Sequence, residues 1–395
     1  MHTMPSDFAR LPENRMLTST RVASIKKYFA PLRDPRVRKR TQHRLIDIVA
    51  IALCGVIANC DTWAEIVDFG NTHASWLQQF LKLPNGIPSP DTFERVFAMI
   101  DPAVFSRCCV NWLRNVSELI GLNHLAIDGK TLRGSGSSTL GPLHLVSAWA
   151  TEAKLTLGEV AVEGKSNEIT AIPELLKLLD LQGALVTIDA IGCQKTIVKQ
   201  IVDQGGDYLV AVKANQKHLL EDIQATVTKA LDGELPKGQV ATITTSDEGH
   251  GRTEQRTYTV ITNLDDIRDR KLWAGLAAVC ICSRACTVNG QPSEEVRYFI
   301  ASGRTGARKL AQATRDHWGI EINQHWQLDV SFGEDTSKIH ERNRARNFAT
   351  MRRLALGVLK RHPAKKSIRA KRKLAAQDSA FLTEILTGPT KTAKL

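Results

Sequence analysis

The sequence predicts a mixed α/β protein whose sheet is interrupted by a β-rich segment and preceded by an all-helical domain. Three observations lead to this fold class. Apolar residues recur at helical spacing through residues 45–113, strand-like and helix-like segments alternate over 124–231, and strands with turns dominate 233–304. Alternating segments of this kind are typical of a sheet flanked by helices. Helical spacing returns from residue 307, so the chain is expected to re-enter the α/β unit there.

Changes in local pattern also predict where each part begins. The apolar run LIDIVAIALCGVI indicates a buried helix, and Asp91 with Glu94 three residues later resembles a capping box that opens another helix. The runs HLAIDGK, LHLVSAWAT, KLTLGEVAVEG, ALVTIDA and DYLVAVK read as strands. The predicted divisions are a helical N-terminal domain (1–120), the first part of the core (121–232), a β-rich insertion (233–304), the last part of the core (305–360) and a basic C-terminal tail (361–395).

Length and composition exclude several classes of protein. The chain has 395 residues, enough for two or three domains, and is 43% apolar and 24% charged, which argues against disorder. The longest nearly unbroken apolar run, 48–58, has 11 residues, whereas a membrane-spanning helix needs about 20. The first residues contain no apolar segment of the kind found in secretory signals, so we expect a cytoplasmic protein.

Cysteine usage and short motifs give little sign of a cofactor. The eight cysteines lie in apolar or strand-like contexts, and no pair of CxxC motifs frames them, so reduced thiols are expected. Cys280, Cys282 and Cys286 resemble a metal knuckle only weakly, because they sit in a strand-like alternation with no histidine at finger spacing. No phosphate-binding loop or dinucleotide fingerprint is present, so neither ATP nor NAD is expected.

Positive charge is concentrated in two segments. The formal net charge is +12, and residues 342–377 contain 13 Lys and Arg with no Asp or Glu. A second cluster, at 21–44, has nine Lys and Arg against Asp34 alone. Two separated basic segments indicate a polyanionic partner, most simply nucleic acid. A solubilising tail and a solvated helix face remain the alternative.

Three acidic residues are candidates for metal-assisted chemistry. Asp128 and Asp189 each follow a predicted strand, where side chains face the crevice at the carboxyl edge of a sheet. Glu321, on the helix after the insertion, would complete a set of three carboxylates. Such a set can hold a pair of Mg²⁺ ions that activate water and stabilise the leaving oxygen in phosphodiester cleavage. The alternative for each residue alone is a turn, a helix cap and a surface position.

The order of predicted elements and several sequence strings resemble a known family. The order, with acids on the first strand, beside the fourth strand and on a late helix, matches a ribonuclease H-like nuclease core. The chain resembles insertion-sequence DDE transposases of the H-repeat-associated group over about residues 20–390. The resembling strings are DPRVRKRTQHRLIDIVAIALCGV (34–56), GIPSPDTFERVF (86–97), IDGKTLRGS (127–135), KSNEITAIPELL (165–176), TIDAIGCQ (187–194), DYLVAVKANQ (207–216), RDHWGIE (315–321), HWQLDVSFGED (325–335) and SIRAKRK (367–373).

The resemblance implies that Asp128, Asp189 and Glu321 are the catalytic, metal-binding triad, with Mg²⁺ as cofactor and Mn²⁺ as a substitute. It also implies that 233–304 matches the β-strand insertion of related transposases. Two positions depart from the family: Ile322 stands where Asn is usual and Gln324 where Leu is usual. A displaced third acid stays open as an alternative, the candidates being Asp329, Glu334 and Asp335.

The resemblance further implies that double-stranded DNA is the partner, both as the terminal inverted repeats of the element and as the target. Residues 1–120 would then recognise the DNA ends, the protein would assemble as a homodimer on DNA, and no membrane or nucleotide cofactor is involved. In the bacterial cell such a protein would be cytoplasmic and nucleoid-associated when bound. Candidate DNA contacts are Arg36, Arg38, Lys39, Arg40, Lys130, Arg133, Lys213, Asn215, Gln216, His250, Arg252, His325, Arg369, Lys371, Arg372 and Lys373.

Other expectations concern packing and rival functions. Trp149, Trp273, Trp318 and Trp326 are expected to be core aromatics, not platforms for bases. Ser166 or Asn167 is expected to cap the first core helix. The rival functions are, in order, a ribonuclease H-like endonuclease not involved in transposition, a catalytically decayed DNA-binding derivative, and a metal-dependent phosphatase.

Overall fold

The computed structural model describes residues 24–37, 41–117, 122–162, 167–249, 251–303 and 306–387. The chain forms two compact units. One spans Ile120–Trp326, and the other combines Met1–Leu119 with Gln327–Leu395. The core was expected to extend to residue 360, but the chain from Gln327 onward groups with the N-terminal helices.

The unit with both chain ends is helical in its described residues. Within the described part of the chain, no single helix is long and apolar enough to cross a membrane. The helices Pro90–Met99 and Pro102–Val116, bent by 100° relative to one another, pass as a pair on length and composition alone. Its main helices are α1 (Leu45–Ile57), α2 (Trp63–Thr72), α3 (Ala74–Leu77), α4 (Pro90–Met99), α5 (Pro102–Ser117), α11 (Arg342–Arg361), α12 (Ile368–Gln377) and α13 (Ser379–Thr387).

Local signals explain where these helices begin. Thr62 and Glu65 form a capping box at α2. The expected capping box at Asp91 is wrong, because Ser89 caps α4 by accepting from the backbone N–H of Thr92, and Pro90 occupies the first helical position. Proline suits that position since its missing N–H would have no intrahelical partner.

An aromatic cluster holds the long helix α11 against the earlier helices. The Trp63 ring lies 4.9 Å from Phe348 and 5.0 Å from Phe97, measured between centroids. Asn347, fully buried on α11, donates from Nδ2 to the backbone oxygens of Phe97 and Ile100. The contacts of Phe348 and Asn347 join residues about 250 or more positions apart, so only the tertiary structure reveals them.

The second unit contains one nine-stranded mixed sheet with the order β3-β2-β1-β4-β5-β9-β8-β7-β6. Strands β1, β4 and β5 are parallel, and the other neighbours are antiparallel. The strands are β1 (His124–Leu132), β2 (Leu143–Ala150), β3 (Leu155–Val162), β4 (Leu185–Ile188), β5 (Asp207–Val212), β6 (Val240–Gly249), β7 (Arg252–Ile261), β8 (Leu276–Val288) and β9 (Gln291–Ser302).

The β-rich segment is continuous with this sheet. Strands β6 to β9 form an antiparallel meander, and β9 pairs with β5 from Leu209↔Ala301 to Val212↔Tyr298. Pairing of β9 with β5 satisfies backbone groups that an edge strand would leave open, which explains why the meander extends the sheet.

The helices of this unit are α6 (Glu168–Leu176), α7 (Lys195–Asp203), α8 (Lys217–Leu231) and α9 (Ala307–Ile320), followed by a π-helical turn, Glu321–His325, and by α10 (Trp326–Phe332), most of which lies in the helical unit. The end of α9 packs on the sheet where Ile320 meets Ala126 of β1 and Trp149 of β2. Successive side chains of a strand alternate between faces, so Asp128 lies on the same face of β1 as Ala126. That face carries the end of α9 and the π-helical turn.

Candidate active site

The strand register places the first two acidic candidates side by side. The parallel pairing of β1 with β4 ends at Ile127↔Ile188, and Asp128 and Asp189 are the next residue of each chain segment. The expectation that Asp128 ends its strand is wrong, because β1 continues to Leu132 and pairs with β2. The neighbouring β4 does end there and turns into a 3₁₀ helix, which opens the space beside Asp128.

Asp189 also shapes the loop that follows it. Its Oδ1 accepts from the backbone N–H of Ile191 at 3.1 Å and so caps the 3₁₀ helix Ala190–Gly192. The cap that we considered as the alternative to a site residue is therefore present, and it fixes the carboxylate in place.

Glu321 begins the π-helical turn at the end of α9. Its side chain is exposed, while the preceding Ile320 is buried against Ala126. Single π-helical turns within α-helices are frequent at functional sites. Here the turn also carries His325, whose Nδ1 lies 3.6 Å from Asp128 Oδ2.

The electrostatics of the site show that its carboxylates are close together. Burial, together with the charges of Asp189, Glu168 and Glu321, raises the pKa of Asp128 to about 7. Burial also raises the pKa of Asp189, with Glu168 acting in the same direction and Lys213 opposing it. Carboxylates that repel one another in a partly buried site form an environment that favours a cation.

The donor set suits a hard divalent cation. Asp128, Asp189 and Glu321 offer only carboxylate oxygens, which are the ligands that Mg²⁺ and Mn²⁺ prefer. In the described residues, no group of three His, Cys, Asp or Glu side chains forms a ready-made metal cluster. Because Mg²⁺ usually keeps several waters and needs only one or two protein carboxylates, the residues present fit such an ion.

The alternative third acids all lie in the helical unit. Glu334 is buried in the helical unit, where its Oε1 accepts from Arg353 at 2.8 Å. Asp329 and Asp335 belong to the same unit. The departure at Gln324 is accommodated, since this buried side chain donates to Thr156 Oγ1 of β3 at 3.1 Å.

Two residues that sequence reasoning did not assign to the site lie within it. Glu168, the first residue of α6, raises the pKa of both Asp128 and Asp189. His144 of β2 holds the Glu168 carboxylate, with Nε2 and Oε1 2.7 Å apart. The available signal was the position of Glu168 directly after the capping residue Asn167, whose Oδ1 accepts from the Ile169 N–H as expected. The remaining candidate cap, Ser166, lies outside the described residues.

Two predicted DNA contacts in the loop after β5 are instead bonded to the loop that follows Asp189. Asn215 donates from Nδ2 to the carbonyl of Ala190 at 2.7 Å, and Gln216 donates from Nε2 to the carbonyl of Cys193 at 2.8 Å. Both amides brace the loop that follows Asp189. Lys213 is exposed and near enough to Asp189 to lower its pKa.

The remaining candidate DNA contacts near the sheet are scattered. Lys130 is buried on β1, whereas Arg133 is exposed just beyond that strand. Arg252 pairs with Glu254, which also binds Arg256 and Arg284 within the meander. The expectation for His250 concerns a residue outside the described ranges.

In the described residues, several side chains of the basic segments are buried or paired within the fold. Arg36 binds Asp34 and the carbonyl of His43, and the candidates Arg38, Lys39 and Arg40 lie outside the described residues. Arg369 and Lys373 are exposed on α12. The residues between them, Lys371 and Arg372, are buried. Lys371 lies two residues from each exposed side chain, and residues two apart in a helix lie on different faces.

Lys371 and Arg372 are corrected to structural residues. The Lys371 ammonium donates to the backbone oxygens of Leu359 and His362 at 2.9 and 2.7 Å. Arg372 is fully buried, donates to the carbonyl of Val56, forms an ion pair with Asp61, and stacks on the ring of Phe332. A phosphate contact through either side chain would require these bonds to break.

The tryptophan expectation is correct for two residues and wrong for two. Trp149 and Trp273 are buried, but Trp318 is 43% and Trp326 54% exposed. They lie four residues to either side of Ile322, itself exposed, on the helical segment that carries Glu321. The Arg297 guanidinium lies 4.5 Å from the Trp318 ring centroid. All eight cysteines lie among the described residues, and all are buried without a disulfide.

Two aspartates on neighbouring parallel segments of the sheet, and a glutamate at the end of a later helix, form the arrangement expected of DDE transposases. The chain belongs to this class: the family model for the transposase DDE domain matches residues 120–358, and that for the DDE_Tnp_1-associated domain matches residues 26–113. The predicted family is therefore confirmed.

Individual relatives agree with this family. "H repeat-associated putative transposase YhhI" of Escherichia coli K12 is 37% identical over 377 residues, which cover 92% of this chain and 98% of the relative. "Uncharacterized protein in dhlA 3'region" of Xanthobacter autotrophicus is 42% identical over 282 residues, covering 70% of this chain and 94% of the relative.

A solved structure was also compared with the chain. The cryo-EM structure of piggyBac transposase synaptic complex with hairpin DNA aligns with a TM-score of 0.41 and 10% identity, covering 98% of this chain and 85% of that one. This similarity is too low to support a conclusion about fold or function.

Proposed function

We propose that the protein is a DNA transposase that cuts the ends of its own insertion sequence and joins the resulting 3′-hydroxyl ends to target DNA. The observation that carries this proposal is the placement of Asp128 beside Asp189, with Glu321 close enough to raise the pKa of Asp128. Membership of the DDE transposase family supports it. We further propose that strands β3-β2-β1-β4-β5 are a ribonuclease H-like core, since three antiparallel strands followed by two parallel ones have that order.

The chemistry assigned to the site is phosphodiester cleavage and strand transfer. Asp128, Asp189 and Glu321 would hold a pair of Mg²⁺ ions, which lower the pKa of the attacking water and stabilise the leaving oxygen when bound. Mn²⁺ can substitute because it accepts the same oxygen ligands. His325, beside Asp128, limits how far that carboxylate can turn away from the site.

Other residues would orient the DNA. Lys213 is exposed beside Asp189 and can contact a phosphate next to the one that reacts. Trp326 and Trp318 are exposed near Glu321 and offer faces on which a base at the DNA end can stack. Arg369 and Lys373 would bind backbone phosphates, so affinity should fall steeply with salt.

The assembly follows from the reaction. Residues 1–120 would recognise the terminal inverted repeats, and two copies of the chain would hold the paired ends as a homodimer. Such a protein would act in the cytoplasm, on the nucleoid. The departures from the family at Ile322 and Gln324 do not by themselves favour a catalytically decayed derivative, because Ile322 is exposed and Gln324 is hydrogen-bonded within the fold.

The test is strand cleavage of DNA that carries the termini flanking the gene, with Mg²⁺ or Mn²⁺. Metal-dependent cuts at the element boundary should be lost in Asp189→Asn and in Glu321→Gln. They should persist in Asp203→Asn, a matched control whose carboxylate is exposed and ion-paired with Lys199. Cuts that ignore the element boundary would favour a non-transposing nuclease. Tight, salt-sensitive binding without any cut would favour a decayed DNA-binding derivative.

A further inference from the structure

The acidic site contains a hydrogen-bonded chain that ends on a fourth carboxylate. Thr131 Oγ1 lies 2.8 Å from His144 Nδ1, and His144 Nε2 lies 2.7 Å from Glu168 Oε1. Thr131 and His144 are paired residues of β1 and β2, and Glu168 opens α6 after β3. Three separate segments therefore hold one carboxylate in a defined place.

The geometry determines how the histidine is used. An ionised carboxylate only accepts, so His144 Nε2 must carry a proton and donate it to Glu168. In a neutral ring, Nδ1 then accepts from the Thr131 hydroxyl. A histidine whose two nitrogens are both engaged cannot turn, and this is the arrangement by which outer groups orient a ligand.

Gly129 shows that this carboxylate lies against the backbone of the residue after Asp128, on the face of β1 opposite the Asp128 side chain and beside the strand edge that β4 leaves open. A Cβ added at Gly129 would overlap the Glu168 carboxylate and would come within 2.5 Å of His144 Nε2. Gly129 has an ordinary backbone conformation, since it is absent from the positive-φ glycines. The residue after Asp128 must therefore be small to make room for Glu168, not to allow an unusual turn.

A purely structural role does not account for the position of Glu168. It forms an ion pair with His144, and its side chain is 18% exposed. It raises the pKa of both Asp128 and Asp189, so it adds repulsion to a pair that burial already destabilises. Sites that concentrate like charge at a cost in stability are typical of function.

We propose that Glu168 is a fourth carboxylate of the metal site and binds the same divalent cation as Asp128, with His144 as its positioning residue. This inference rests on the proposed function, since it concerns the cation that the transposase reaction would use. It assigns a role to Gly129 as well, namely to let the Glu168 carboxylate approach.

The test is direct binding of Mn²⁺ to the full chain without DNA, measured from the electron paramagnetic resonance signal of free Mn²⁺. We expect Glu168→Gln to weaken binding about tenfold or more, as loss of an orienting or ligating group does. Glu174→Gln is the matched control, because Glu174 lies on the same helix but is exposed and ion-paired with Lys177. The control should bind as the wild type does.

Two further variants separate ligation from folding. Gly129→Ala keeps every carboxylate but should displace Glu168, so it should weaken binding about as much as Glu168→Gln. His144→Ala should weaken binding less than Glu168→Gln, because the carboxylate remains but is no longer held. Circular dichroism in EDTA should show that Glu168→Gln stays folded, since it removes repulsion from the site.

The outcomes are distinct. If Asp128→Asn loses Mn²⁺ binding while Glu168→Gln and Glu174→Gln both bind normally, the fourth-carboxylate proposal is overturned and the three-acid site stands. If the wild type and Asp128→Asn bind Mn²⁺ equally, the acidic site itself is not a cation site, and the proposed function fails together with this inference.

Discussion

Replacing Asp128 by Asn should stabilise the metal-free protein at alkaline pH. Burial and three neighbouring carboxylates raise the pKa of Asp128 to about 7 from its ordinary 3.8. The folded protein therefore holds a proton on Asp128 between about pH 4 and pH 7 that the unfolded chain has released. The free energy of unfolding must therefore fall as pH rises through that window. Above pH 7 the contribution of the proton on Asp128 is lost completely.

The magnitude follows from the difference in pKa. About three pKa units correspond to about 4 kcal/mol at pH 8 and to roughly half of that at pH 5. The Asp128 side chain is 23% exposed, so solvent screens it only in part. Asn is an uncharged replacement of similar size, so Asp128→Asn should gain this stability without changing the packing.

The assay is urea unfolding in EDTA at pH 5 and pH 8, followed by circular dichroism. The stability difference between Asp128→Asn and wild type should widen toward pH 8, and saturating Mg²⁺ should reduce it by stabilising the wild type alone. Asp203→Asn, with a carboxylate that is 57% exposed, should change stability little at either pH. An equal difference at both pH values, or a less stable Asp128→Asn, would refute the reasoning.

Three further predictions test other parts of the structure. Arg372→Ala should lower the free energy of unfolding, measured in urea, by about 3 kcal/mol or more, because it leaves buried carbonyls and a carboxylate unpaired. Lys373→Ala should leave stability unchanged and lower the salt dependence of DNA binding by about one ion. Equal effects of the two variants on stability would contradict this. Gln324→Leu combined with Thr156→Val should be neutral or stabilising by about 1 kcal/mol, while Gln324→Leu alone should be less stable than the double variant, since it leaves the Thr156 hydroxyl without its amide partner. Burial lowers the pKa of His317 to about 4, so the folded state favours the neutral ring and the protein loses stability as pH falls from 6.5 to 4. In thermal melts, His317→Gln should lose less stability than the wild type over that range. The same dependence of melting temperature on pH in both proteins would exclude this histidine as the cause.

Many strands of the sheet could be predicted from local pattern, but the length of β1 and the pairing of β9 with β5 could not. The runs around Asp128 and Asp189 are short and strongly apolar, so alternation and length alone indicate buried strands. The extent of β1 beyond Asp128 depends on β2, which supplies backbone partners that no local signal reveals. The pairing of β9 with β5 likewise joins residues about 90 positions apart.

The functional residues divide in the same way. Asp128, Asp189 and Glu321 could be proposed because their order along the chain resembles that of a known family, and the family prediction is confirmed. Glu168 could not, since its place in the site depends on His144 and on the empty space at Gly129. Net charge predicted α12 as a basic surface, but it cannot distinguish the buried Arg372 from an exposed neighbour.

The sequence by itself determined the family and was enough to predict a mixed α/β fold and to propose the three acids, because these depend on residue type and order along the chain. Tertiary structure alone decided that residues from Gln327 onward join the N-terminal helices, that Arg372 is bonded within the fold, and that Glu168 lies against Gly129. The physical reason is that charge and hydrogen bonding act through space. A carboxylate or guanidinium has its role set by whichever distant groups the fold brings within a few ångströms of it.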